Sequence, residues 1–162
     1  MIETVFYASA IIAVFCTVMT ITSVYPVHAL LYLIVSLLSL AVIFFTLGAP
    51  FAALLEVIVY AGAIMVLFVF VVMMLNLGDS AAEQERHWLA PKIWIGPATL
   101  AFALLIELVL LLSHGPLNGI GGEVTAKQVG VALYGPYLLA VELASMLLLG
   151  GLVAAYHLGR NE

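Results

Sequence analysis

The sequence predicts an all-α, polytopic membrane protein with five transmembrane helices. Two observations carry that prediction. Of the 162 residues, 66% are hydrophobic and only 8% are charged, against roughly 25% charged in an ordinary soluble domain. So few charges cannot coat a water-facing surface. The apolar residues also fall into five stretches, about 2–22, 27–47, 51–77, 93–113 and 135–157, each near the roughly 20 residues a helix needs to cross a 30 Å hydrocarbon core. They use most of the chain, so residues 1–162 read as a single membrane domain.

The first stretch follows an N-terminus, MIETVFYASA, without the basic segment of a signal peptide, and is expected to be retained as a helix. Thr22-Ser23-Val24-Tyr25-Pro26 ends it, because Pro26 cannot continue one helix yet is suited to open the next. Gly48-Ala49-Pro50 separates the second and third helices in the same way. Both connections are short, which makes these three helices antiparallel neighbours. A polar loop, Gly78 to Pro91, precedes the fourth helix, and a Gly-rich loop from Ser113 to about Val131 precedes the fifth, entered through Gly135-Pro136.

Cationic residues set the expected orientation. Arg86, Lys92 and Arg160 fall on one side and Lys127 on the other, which favours an N-terminus outside and a C-terminus in the cytoplasm. Trp88, Trp94, Tyr25, Tyr134, Tyr137 and Tyr156 lie near expected helix ends, where amphipathic rings anchor at headgroups.

Several chemistries are excluded. Cys16 is the sole cysteine, so neither an internal disulfide nor an iron–sulfur cluster held within this chain is available. A net charge of −5 offers no patch for nucleic acid. His28, His87, His114 and His157 sit at helix ends or in loops, not facing one another at depth as haem ligation requires. No catalytic, cofactor-binding or metal site is expected in the chain itself.

Three carboxylates inside the spans remain to be explained. Glu56 is the only charge between Phe51 and Leu77. An acid in hydrocarbon costs several kcal/mol and is a candidate proton-relay group by default; the bland alternative is a protonated carboxyl bonded to a neighbouring helix. Glu142, with Ser145 at i+3 among small residues, reads equally as a packing partner or a relay member. Glu107 is six residues from the end of its stretch and is expected simply to reach the interface. Four positions after Glu56 comes Tyr60, followed by Ala61-Gly62-Ala63. The triplet either permits close helix contact or hosts a π-bulge, an i→i+5 distortion that recurs at functional sites.

Longer blocks add a resemblance. PVHALLYL (26–33), LEVIVYAGAIMVLFVFVVMMLNLG (55–78), EQER (83–86), WIGP (94–97) and GPYLLAVELASMLLLGGLVAAYHLGR (135–160) closely resemble the J-subunit family of bacterial respiratory complex I, the counterpart of mitochondrial subunit 6. The resemblance implies a cofactor-free, multi-pass subunit of a proton-pumping NADH:quinone oxidoreductase in the bacterial inner membrane. FMN, iron–sulfur clusters and quinone are then held by other subunits, and the partners are the antiporter-like and quinone-site subunits together with the lipid bilayer. It also implies a π-bulge in the third helix and a conformational switch formed by Tyr60, Ala61, Gly62, Ala63, Ile64, Met65 and Val66. Glu56 and Tyr60, with Glu142 less directly, fall in the proton relay and coupling path. It assigns nothing to Glu107. Two alternatives stay open at this point: a subunit of a multisubunit cation/proton antiporter, and a purely structural helix bundle.

Overall fold

A computed structural model describes residues 2–74, 91–113 and 122–160. The described residues are helical with no strand among them, and five helical spans are long and apolar enough to cross a membrane. In lipid a helix satisfies its backbone hydrogen bonds within its own segment, so each span is stable without an edge partner.

The first span, α1 (Ile2–Thr22), and the second, α2 (Pro26–Thr46), lie within one residue of the expected bounds. Pro26 occupies the first turn of α2, where its missing N–H would be unpaired in any case. At the other end, Gly48 takes φ 83°, its N–H donates to the Phe45 carbonyl, and the Ala49 N–H donates to the Phe44 carbonyl at 2.9 Å. That is a Schellman cap, whose left-handed residue glycine adopts without a Cβ penalty.

The third span runs from Pro50 through α3 (Pro50–Leu55), a π-helical segment π1 (Glu56–Ile64) and α4 (Met65–Met74). Residues 75–77, expected to close this span, lie outside the described residues, as do Arg86 and Trp88 of the loop that follows. The fourth span, α5 (Pro91–Ser113), begins two residues before the expected start and contains Pro97.

Contacts divide the chain into two compact units, Met1–Glu123 and Val124–Glu162. In the first, α2 packs against α1, the third span and α5. Its core comprises Val5, Cys16, Tyr32, Val35, Val42, Leu104 and Leu111. Small and hydroxylated residues line the α1–α2 seam, where the Ser36 hydroxyl reaches both the Ala13 carbonyl and the Thr17 hydroxyl. Close approach of this kind is how membrane helices gain dispersion contacts when lipid removes the hydrophobic drive. Gly96 of α5 faces the Tyr32 hydroxyl so closely that a Cβ there would collide with it.

The second unit corrects two expectations. A helix, α6 (Ala126–Leu133), takes up the last third of what reads as a Gly-rich loop. Thr125 and Gln128 form a reciprocal capping box at its start, which satisfies two otherwise orphaned donors. The last span, α7, covers Leu138–Gly159 and therefore starts three residues later than expected. Gly135 and Pro136 form a turn in which the Tyr137 N–H returns to the Ala132 carbonyl. No residue of α7 is buried within its own unit.

Candidate functional site: a π-helical segment beside Glu56

Glu56 lies six residues into the third span, about 9 Å along the axis at 1.5 Å per residue, and is partly buried. Its N–H is shared between the carbonyls of Ala52 and Ala53, a three-centre arrangement within the last α-helical turn. The helix widens from this residue onward. At the far end of π1 the Met65 N–H donates to the Tyr60 carbonyl, an i→i−5 bond that defines the wider turn.

The sequence explains why the ladder changes here. Val57, Ile58 and Val59 are β-branched and crowd the preceding turn of a regular helix. Gly62 then supplies a gap. A Cβ on Gly62 would stand 3.0 Å from the Val57 carbonyl oxygen, tighter than ordinary van der Waals contact. Glycine at that position leaves the carbonyl of the residue five places earlier unobstructed.

The distortion changes which residues face inward. In an unbroken α-helix eight residues turn through about 800°, which leaves Ala61 about 80° from the face of Ala53. An extra residue in the turn winds it back toward that face, and Ala53, Ala61 and Met65 are the buried residues of the span. Tyr60 is 51% exposed. The π segment begins four residues before the expected switch, and Met65 and Val66, expected within the distortion, belong to regular α4. Tyr60, Ala61, Gly62, Ala63 and Ile64 lie inside it. The widening thus starts at the carboxylate itself.

Val57 also lines an apolar cavity of about 450 Å³ between α2, the third span and α5. Leu38 and Phe45 of α2, Ala53 and Leu54 of α3, and Leu105 and Leu108 of α5 contribute to its walls. Space beside one face of π1 leaves room for its side chains to turn.

The other two membrane acids sit differently. Glu142 is exposed on α7, and Ser145 donates to the Glu142 backbone carbonyl at 2.8 Å, not to its carboxylate. Glu107, expected to reach the interface, instead accepts a hydrogen bond from the Ser9 hydroxyl of α1 at 2.8 Å. The two are 98 residues apart, and the only trace of the pair in the sequence is a hydroxyl and an acid, each inside an apolar span. Among the described residues no three His, Cys, Asp or Glu side chains are grouped to hold a metal ion.

Residues 16–158 match the family described as NADH-ubiquinone/plastoquinone oxidoreductase chain 6. The chain belongs to that family. It is 64% identical over 162 residues to the NADH-quinone oxidoreductase subunit J of Pseudomonas aeruginosa, covering 99% of this chain and 98% of the relative. The subunit J of Escherichia coli K12 is 60% identical over 161 residues, covering 99% of this chain and 88% of the relative. That of Buchnera aphidicola subsp. Schizaphis graminum is 48% identical over 161 residues, with 99% of each covered. Membership makes this a multi-pass membrane subunit of the oxidoreductase type and removes the ground for the antiporter alternative. Among the described residues, π1 is where a membrane span of this chain departs from the regular α-helix.

Proposed function

We propose that this chain is the coupling subunit of the membrane arm of a proton-pumping NADH:quinone oxidoreductase, with the third span as a conformational switch. The observation that carries the proposal is a π-helical segment that starts at the only carboxylate of its span. Conversion between π and α changes the register of everything downstream by about 100° per residue. The bulky side chains Val66, Phe68, Phe70 and Met73, all exposed on α4, then sweep past different neighbours. In one state they close a path near Glu56 by dewetting it; in the other they admit water. Constrictions of this type gate channels.

In this scheme Glu56 and Tyr60 belong to the proton relay, and Glu142 is a further member on α7. Tyr60 to Val66 turns as a unit when π1 converts. The chain forms one membrane domain of the bacterial inner membrane, N-terminus periplasmic and C-terminus cytoplasmic. Antiporter-like and quinone-site subunits are its neighbours, and FMN, iron–sulfur clusters and quinone are held outside it. The carboxylate and the glycine do separate jobs: Glu56 carries the proton, and Gly62 permits the turn.

The test uses the assembled complex in proteoliposomes. Glu56→Gln and Gly62→Val are expected to lower the number of protons moved per NADH oxidised, Glu56→Gln while NADH oxidation by the flavin-containing part persists. Full rates and full stoichiometry in both variants would refute the coupling role. Lower assembly yield with normal activity per assembled complex would favour a structural role instead.

A further inference from the structure

Most hydroxyls of the membrane spans bond within their own helix, and Ser36, which reaches the Ala13 carbonyl of α1, and Ser9 depart from that pattern. Thr17 donates to the Ala13 carbonyl, Thr20 to Cys16, Thr22 to Val18 and Ser39 to Val35. Each is a bond within its own helix, the usual resting place for a membrane hydroxyl. Ser9 has the same option at Val5. Instead its hydroxyl donates across to Glu107 Oε2 at 2.8 Å. Ser9 itself is fully buried, whereas Glu107 is only partly so.

Depth is consistent from both helices. Ser9 is seven residues from the start of α1 and Glu107 six from the end of α5, which puts the bond about 10 Å below one membrane face at 1.5 Å per residue. Among the described residues of α1, α2 and α5, no cationic side chain is paired with Glu107. Of the titratable groups on α1, Glu3 and Tyr7 are exposed toward the same end, and Cys16 is buried seven residues further in. On α2, His28 stacks edge-on with Tyr32, and the Tyr32 hydroxyl abuts Gly96, eleven residues from Glu107 along α5.

A serine and a carboxyl group can satisfy one another in both protonation states. Ser9 donates to a Glu107 oxygen at 2.8 Å, an arrangement that suits the ionised carboxylate. With Glu107 protonated, its O–H can donate to the Ser9 oxygen, and the serine proton turns to the Val5 carbonyl in the manner of the other helical hydroxyls. Neither state strands a buried donor, and a partly exposed carboxyl keeps a route for exchange. A pure clamp would need only one of these states.

We propose that Glu107 and Ser9 form a further protonatable site of this chain, separate from Glu56, Tyr60 and Glu142, which binds and releases a proton about 10 Å below the membrane face where α1 begins. Uptake converts the carboxylate and a hydronium ion to a carboxylic acid and water; release reverses it. The site stands on contacts between α1 and α5 and does not depend on the behaviour of π1 or Glu56.

Infrared difference spectroscopy on the intact, membrane-reconstituted complex tests it, with spectra taken at stepwise lower pH. The expected result is a protonated-carboxyl C=O band that grows on acidification, is lost in Glu107→Gln, and moves to higher frequency in Ser9→Ala as its hydrogen bond is removed. Gln keeps an acceptor for Ser9, so the helix contact survives without the titrating group. If Glu107→Gln does not assemble, Glu107→Asp carries the test, with a shifted band expected. A wild-type spectrum from Glu107→Gln, or an unshifted band in Ser9→Ala or Glu107→Asp, overturns the proposal. Proton stoichiometry in Glu56→Gln leaves this outcome untouched, so the two proposals fail separately.

Discussion

The carbonyl oxygen of Val57 stands 3.0 Å from the position a Cβ on Gly62 would take. That spacing, across five residues, ties the shape of π1 to a single missing methyl group. Alanine there faces two opposed forces. The Val57 carbonyl must yield by a few tenths of an ångström in the π form, while a regular α-helix gains about 1 kcal/mol from replacing glycine.

Gly62→Ala is therefore expected to shift the third span from π toward α by about fivefold in population, the equivalent of 1 kcal/mol. Hydrogen–deuterium exchange at the Met65 amide, whose π-type partner is the Tyr60 carbonyl, reports the change together with the structure of the variant complex. An unchanged i→i−5 bond in the variant would show that glycine is not what maintains the wide turn.

The contact between α2 and α5 offers a second prediction. A side chain on Gly96 meets the Tyr32 hydroxyl, and Tyr32 is only 6% exposed, so it has little space in which to retreat. Gly96→Ala should cost about 1–3 kcal/mol through overpacking and lower the thermal stability of the complex. Tyr32→Phe removes the obstructing oxygen and should recover much of that loss in the double variant. Additive losses would rule out the proposed collision.

A third concerns α6. Thr125→Ala deletes the hydroxyl that caps the Gln128 N–H and should destabilise this helix by about 0.5–2 kcal/mol. Amide exchange along Ala126–Leu133 should quicken accordingly, with Thr125→Ser close to the parent. Equal exchange in all three would mean that other contacts hold the helix.

Local chemistry accounts for what could be read without the fold. Hydropathy, Pro26, Pro50 and Gly48 place the first two spans and the start of the third within a residue, because a membrane helix closes its own hydrogen bonds and its ends are set by turn residues. The helix α6 carried a readable start, Thr125-x-x-Gln128, yet its surrounding glycines made the stretch look like loop. The π segment was half legible: Gly62 marked the place, and the β-branched run before it moved the actual start back to Glu56.

By itself, then, the sequence determined the class of the protein, its five spans and the presence of three acids in lipid, all consequences of composition and of contacts within a few residues. Only the tertiary structure decided what surrounds those acids. Glu107 meets Ser9 because α5 returns to α1 at a sequence separation of 98 residues, and Ala61 turns inward because the helix widens beneath it. Neither relation has a periodic signature, since each depends on the rotation of a whole helix about its axis, which packing against neighbours sets and hydropathy does not.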